Sequence, residues 1–445
     1  MLLEFFSSGL VSLWLTTAGV KPPAVALAAL HDTPWAVAIP GTTDATAEAI
    51  VQRYLQGLTQ KGLTSTTQGI WLQSGPMLLS SNQGNTPLPA ASLTKVATTL
   101  VALHTWDLQH RFETLISTTG TIKQGVLQGD LVIQGGADPM MVWEEAFAIG
   151  QALERLGIKK VTGNLVIAGT FLMNFETDPH QAAELFKQAL DAREWLEDAQ
   201  YIYHTLPPNS PRPQVEIAGT IQVIPPGQAL TAPQTLLLRH YSPPLVQILK
   251  VMNVDSNNEI SETLATLAGG GTAVADRAAE LANAPRSEIL LANGSGLGVE
   301  NRLSPRAVCA MFAAIQRYLQ AQNLTIADLF PISGIDGGTL DYRQIPKAAV
   351  VKTGTLNEVS ALAGVVPTRD RGLVWFTIIN RGSDIEDLRQ QQDIFLQTLL
   401  KQWGTVTTAP IAISPTLPNT PPAITATSRN EVLLRSAVQA TSTSE

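Results

Sequence analysis

A single cysteine among 445 residues rules out an internal disulfide framework. The stretch around it, "PRAVCAMFAAI", reads as the apolar face of a helix, so Cys309 is expected to be a small core residue rather than a reactive thiol. One thiol fits an oxidising or a reducing compartment equally well. Charge is also scarce: 15% of residues are charged and the net charge is -8. No basic surface is available to hold phosphates, which excludes nucleic-acid partners. The chain has no Gly-x-Ser-x-Gly elbow, and its six histidines show no His-Glu-x-x-His spacing. Two common hydrolase mechanisms, the nucleophile elbow and the zinc helix, are thereby set aside.

The apolar content that remains, 44% of the chain, is enough to fill two or three cores at this length. Residues 5–20, "FFSSGLVSLWLTTAGV", form an uncharged run suited to the h-region of an export signal. A basic n-region is missing, since Glu4 is the only charge before Lys21, so an uncleaved anchor or a misassigned start are the competing readings of residues 1–30. Residues 404–445 are rich in Thr, Pro, Ser and Ala and are expected to be a disordered tail.

Between these ends the texture changes twice. Residues 44–60 carry Ala47, Ile50, Val51, Tyr54, Leu55 and Leu58 at helical spacing. A hairpin around "SGP" follows, then "PAASLTKVATTLVAL", where Leu93, Val96, Ala97, Leu100 and Leu103 make one apolar stripe and Ser92 falls at or near the helix start. Between 107 and 243, "QGDLVIQGG" and "TGNLVIAGT" share a pattern to which "EIAGTIQVIPPG" is a looser relative, which predicts short buried strands in an inserted β-rich domain. Helices then flank the turn "NVDSNN", and "AAVVKTGTL", "EVSALAGVVPT" and "GLVWFTIINR" predict three antiparallel strands before a closing helix. The expected fold class is α+β and multi-domain. Residues 40–106 and 244–403 build an antiparallel sheet flanked by helices, and 107–243 are inserted into it.

Ser92 and Lys95 stand three apart, one turn of helix, so the amine can reach the hydroxyl and act as its base. Lys95 is the only lysine in the chain with a serine at that offset. A neutral amine is required, which takes burial and neighbouring positive charge, so a second cation close by would help. Ser256 and Asn258 offer a hydroxyl and a carboxamide in a turn, though turn formation and helix capping also suit them. Lys352, Thr353 and Gly354 place a cation, a hydroxyl and a glycine on a strand, and Lys-Thr-Gly occurs once. Ser-x-x-Lys, Ser-x-Asn and Lys-Thr-Gly, in that order, are the signature of penicillin-binding proteins and class A β-lactamases.

The chain resembles peptidase family S13, the D-alanyl-D-alanine carboxypeptidases and endopeptidases of the low-molecular-mass class C penicillin-binding proteins. "NGSGLGVENRLSP", "PISGIDGGTL" and "VVKTGTLNEVSALAGVV" carry the likeness beyond the three motifs. The resemblance implies a penicillin-binding transpeptidase-like fold and a serine peptidase that acts on peptidoglycan stem peptides, is acylated by β-lactams and needs no metal or cofactor. It places such an enzyme in the periplasm, or held at the membrane by the N-terminal segment. It implies Ser92 as nucleophile, Lys95 as base, Ser256 as proton relay, and Asn258 with Thr353 and Gly354 as substrate ligands. Lys352 would be the second cation that lowers the Lys95 pKa and, with Thr353, would help bind the terminal carboxylate, while the N–H groups of Ser92 and Thr355 would form the oxyanion hole. Asp138 in "GGADP" matches a substrate-facing segment, although an aspartate before proline is also a turn former. Where the family often shows Ser-Gly-Leu-Ser-Arg this chain has "SGLGV", so Val299 replaces a basic residue. A β-lactamase of the same superfamily and a non-catalytic peptidoglycan-binding protein are the alternatives.

Overall fold

The structure is a computed structural model that describes residues 44–225, 227–228, 230, 232–418 and 429–434. The expected signal or anchor at 1–30 lies outside them. Among the described residues no helix is long and apolar enough to cross a membrane. The chain divides into two compact units, the first within Met1–Asp107 and Leu249–Asn419, the second within Leu108–Ile248 and Thr420–Glu445.

The first unit is built on a five-stranded antiparallel sheet. Its strands are β1 (Gly69–Ser74), β2 (Met77–Asn82), β3 (Val350–Leu356), β4 (Val359–Thr368) and β5 (Gly372–Arg381), in the order β3-β4-β5-β1-β2. Every residue of β4 is buried, because helices cover both faces and the two-residue side-chain period feeds both layers. Leu362, Val366, Val374, Phe376 and Ile378 share a core with α1 (Ala45–Gln60) and α6 (Ile385–Trp403). The six positions expected to line one face of the first helix are all buried in α1, which opens at Asp44, whose carboxylate accepts from the N–H groups of Thr46 and Ala47. On the other face lies α5 (Pro305–Gln320), with α2 (Thr94–Thr105) and α4 (Gly270–Ala282) packed against it. Cys309 on α5 is buried 3.2 Å from Thr377 Oγ1, and burial pushes its thiol up to about 12, as befits a core residue.

The second unit holds a six-stranded mixed sheet ordered Ile221–Val223, Leu165–Thr170, Leu131–Gly136, Glu113–Thr118, Thr235–Tyr241, Asn430–Val432. The sequence repeat has a direct structural meaning here. Its three copies are neighbouring parallel strands, with Leu131 opposite Leu165 and Leu165 opposite Ile221. Each strand is preceded by a glycine of the repeat, and these stack: Gly163 N donates to Gly129 O at 3.1 Å and Gly219 N to Gly163 O at 3.0 Å. A Cβ on Gly219 would sit 2.2 Å from Gly163 O, so only glycine permits the approach.

The expectation of an unstructured tail from 404 to 445 is corrected in part. Gln316 Nε2 donates to Ala412 O at 2.8 Å, Asp328 Oδ1 accepts from Thr416 N and Leu417 N, and Ile413 is buried. Asn430–Val432 pairs with the strand Thr235–Tyr241, and Leu434 packs on the core of the second unit. A few apolar side chains and an open sheet edge suffice to order segments whose composition alone predicts none.

α6 also anchors the loop before β3. Arg343 donates from Nη2 and Nε to Asp393 Oδ1 at 2.7 and 3.0 Å, Asp393 Oδ2 accepts from Gln344 N, and both charged side chains are 6% exposed. Asp393→Ala leaves the guanidinium buried and unpaired, and chemical denaturation should show a loss of about 3–5 kcal/mol in unfolding free energy.

Candidate active site

Ser92 lies just before a helix start, as its sequence position suggests. It lies in a 3-10 turn, Ala91–Leu93, that runs into α2, and its side chain caps nothing. Ala91 enters this turn at φ 49°, a left-handed conformation that costs an alanine about 1 kcal/mol. The turn lies against the edge strand β3. A Cβ on Gly354 would stand 2.9 Å from Ala90 O and 3.1 Å from Ser92 N, so the glycine of Lys-Thr-Gly lets the strand come up to the serine's own N–H.

Lys95 is fully buried on α2 and makes three contacts. Nζ lies 3.0 Å from Ser92 Oγ, 2.7 Å from Asn258 Oδ1 and 2.8 Å from the Ser295 carbonyl. As an ammonium it would donate to all three. As a neutral amine it donates to Asn258 and Ser295, which can only accept, and turns its lone pair to the Ser92 hydroxyl. Burial lowers its pKa to about 7, against the opposing carboxylates of Glu262 and Glu259. The neutral amine is therefore accessible near neutrality.

Ser256 occupies the turn between the helix Leu245–Val254 and α3 (Asn258–Leu267), at φ 56°. Capping falls to its neighbour: Asn257 Oδ1 accepts from Ile260 N at 2.8 Å, which leaves Asn258 free to hold Lys95. Lys352 is fully buried on β3, and its Nζ donates to Ser256 Oγ at 2.9 Å and to Thr353 O at 3.0 Å. Burial first, then Lys95, hold its pKa well below the ordinary lysine value, while Asp255 opposes them. Two serine–lysine pairs thus face one cleft. Burial is the main cause of the lowering at Lys95, and charge on either amine disfavours charge on the other.

The cleft has a volume of about 380 Å³ and is lined by Ser92, Ser256, Asn258, Thr353, Gly354 and Thr355, together with Thr339, Tyr342 and Arg389. Asp138 belongs to the second unit and is built into its interior. Its Oδ1 accepts from Met140 N at 2.8 Å in the turn that its sequence context suggests, and burial pushes its carboxyl up to about 7. Among the described residues no group of three His, Cys, Asp or Glu is placed to hold a metal.

The motifs did not point to Glu262. Its carboxylate accepts from Gly294 N and Ser295 N at 3.1 and 2.9 Å and so fixes the carbonyl that receives Lys95. One sequence feature could have found it: Glu262 follows Asn258 by four residues and shares its helix face.

Comparison with known proteins adds to this geometry. The family described as D-Ala-D-Ala carboxypeptidase 3 (S13) matches residues 56–210 and 192–402. The D-alanyl-D-alanine carboxypeptidase DacB of Haemophilus influenzae is 23% identical over 412 residues, covering 71% of this chain and 85% of its own length. A carboxypeptidase of Mycobacterium tuberculosis is 26% identical over 337 residues, covering 66% of this chain and 71% of its own. Among solved structures, a predatory endopeptidase of Bdellovibrio bacteriovorus acylated by penicillin G aligns with a TM-score of 0.66 and 22% identity over 77% of this chain and 94% of that one. Penicillin binding protein 4 of Haemophilus influenzae, bound to a β-lactam, aligns at 0.60 and 20% over 79% and 99%. The fold is the one these structures share.

The state of Lys95 should govern the reactivity of Ser92. Acylation of the protein by a small activated ester, followed by intact mass, should accelerate as pH rises through a midpoint near 7, where Lys95 loses its proton. Glu262→Gln removes the larger of the two charges that raise that pKa, so the midpoint should move to lower pH.

Proposed function

The chain belongs to the D-Ala-D-Ala carboxypeptidase 3 (S13) family and is a serine-type DD-peptidase of peptidoglycan; from that premise we propose that Ser92 is its nucleophile and Lys95 its general base. The observation that carries this is the buried Lys95 amine, 3.0 Å from Ser92 Oγ with a pKa lowered to about 7. Neutral Lys95 takes the serine proton as Oγ attacks the carbonyl of the penultimate D-alanine. The N–H groups of Ser92 and Thr355 receive the negative charge on the carbonyl oxygen, a stabilisation of about 3–4 kcal/mol per donor in such sites. Ser256, backed by Lys352, relays the proton taken up by Lys95 to the leaving amine, which returns Lys95 to its neutral form. Asn258 hydrogen-bonds the peptide, and Thr353 and Gly354 border its terminal carboxylate. Water then releases the acyl group by the reverse proton path through Lys95.

The same chemistry makes a β-lactam a suicide substrate, because its ring amide opens on Ser92 and the leaving nitrogen stays tethered. Action on the wall places the enzyme outside the cytoplasm, and residues 1–30 would serve as the export signal or membrane anchor that delivers it to the periplasm. Cleavage of a D-alanyl cross-link uses the same serine and the same charge pattern.

Fluorescent penicillin should label the wild-type protein covalently, and Ser92→Ala should abolish the label without loss of the thermal transition. A folded wild type that takes no label would sink the assignment. Mass spectrometry of muropeptides after incubation should show stem pentapeptides shortened by one D-alanine. Loss of cross-linked dimers in the same digest would read the endopeptidase activity, and rapid penicillin turnover would reassign the enzyme as a β-lactamase.

A further inference from the structure

A carboxylate entering the cleft needs a cation, and the residues with that charge are not equivalent. Lys352 spends its donors on Ser256 Oγ and Thr353 O, and it is fully buried beside a second amine. Arg343 lines the cleft but is held by Asp393. Arg389, one turn into α6, also lines it, and its situation differs. Its Nη2 donates to Thr355 Oγ1 at 3.0 Å, and its Nη1 lies 3.5 Å from Glu386 Oε2, where the two side chains are 36% and 79% exposed. A pair so exposed is weakly held and leaves most of the guanidinium donors to another anion. Because Thr355 Oγ1 accepts from Arg389, its own hydrogen is left to donate outward.

We propose that Arg389, acting with the Thr355 hydroxyl it engages, is the residue that makes the enzyme require a free carboxylate beside the scissile amide. This rests on the reading of Ser92 as nucleophile and deepens it: the serine supplies the reaction and Arg389 the selection of leaving groups that carry a negative charge. Glu386 is the competitor that a substrate carboxylate displaces, so it restrains the same selection. Because Arg389 is partly exposed, the preference is sensitive to ionic strength.

The test compares acylation of Ser92 by benzylpenicillin and by its methyl ester, which differ only in that carboxylate, with second-order rates read by intact mass. Wild type is expected to favour the acid. Arg389→Gln should reduce the acid-to-ester ratio about tenfold, the worth of one charge-assisted hydrogen bond. Arg389→Lys should restore part of it, since the charge returns without the planar fork. Glu386→Gln should move the ratio the other way, and added salt should narrow it in wild type more than in Arg389→Gln. An Arg389→Gln protein that is acylated with the wild-type ratio overturns the assignment and leaves Ser92 as the nucleophile. If that variant fails to fold, Glu386→Gln decides, because a ratio unchanged or lowered there overturns it equally. A wild-type protein that accepts neither compound overturns both readings.

Discussion

The site depends on the burial of two primary amines within one cleft. An ammonium loses hydration on entering the interior, and that loss is the main reason Lys95 sheds its proton near neutrality. The cost appears in the fold itself. Because the native pKa of Lys95 lies below its unfolded value of about 10.4, the unfolded chain binds more protons between the two, and the penalty on folding eases as pH rises through that window. The surroundings are arranged to contain this cost: acceptors from α3 and from the Ser295 loop occupy the positions that would otherwise strand the amine, and Glu262 holds that loop.

Each serine–lysine pair joins segments far apart in the chain. Ser92 and Lys95 sit on one turn and its helix, but the acceptors that orient Lys95 come from residues 258 and 295. Lys352 is on an edge strand, whereas Ser256 is in a turn between helices. The sheet of the first unit makes these meetings possible, since β3 is its edge and Gly354 leaves that edge smooth enough to lie against the Ser92 turn. Arg389 approaches from α6 and Arg343 from the loop that α6 anchors through Asp393, so this helix contributes to both the fold and the cleft.

Most of the architecture was legible before any coordinates. The α1 stripe, the three-strand run from β3 to β5 and the repeated glycine pattern each follow from periodicity and turn chemistry. The tail was not legible, because its order comes from a neighbour's open strand edge and a few apolar anchors, neither of which composition records. Within the site, the three motifs named the residues that meet at the cleft, but the contacts each one makes were hidden. Spacing could not show that Asn257 rather than Asn258 caps α3, or that Ser92 lies in a 3-10 turn. Nor could it show that Glu262 acts through a backbone loop, since backbone carbonyls leave no mark in a sequence.

The stacked glycines of the second unit bear on how such an insert changes size. Each repeat adds one parallel strand whose entry is set by a glycine resting on the preceding glycine's carbonyl, and the last of them, Ile221–Val223, forms the border of the sheet among the described residues. Growth or shrinkage at that border proceeds in whole modules, because adding or deleting one strand leaves the register of the others untouched. The insert can therefore vary in length in discrete steps while the unit that carries the two serine–lysine pairs keeps its own sheet intact.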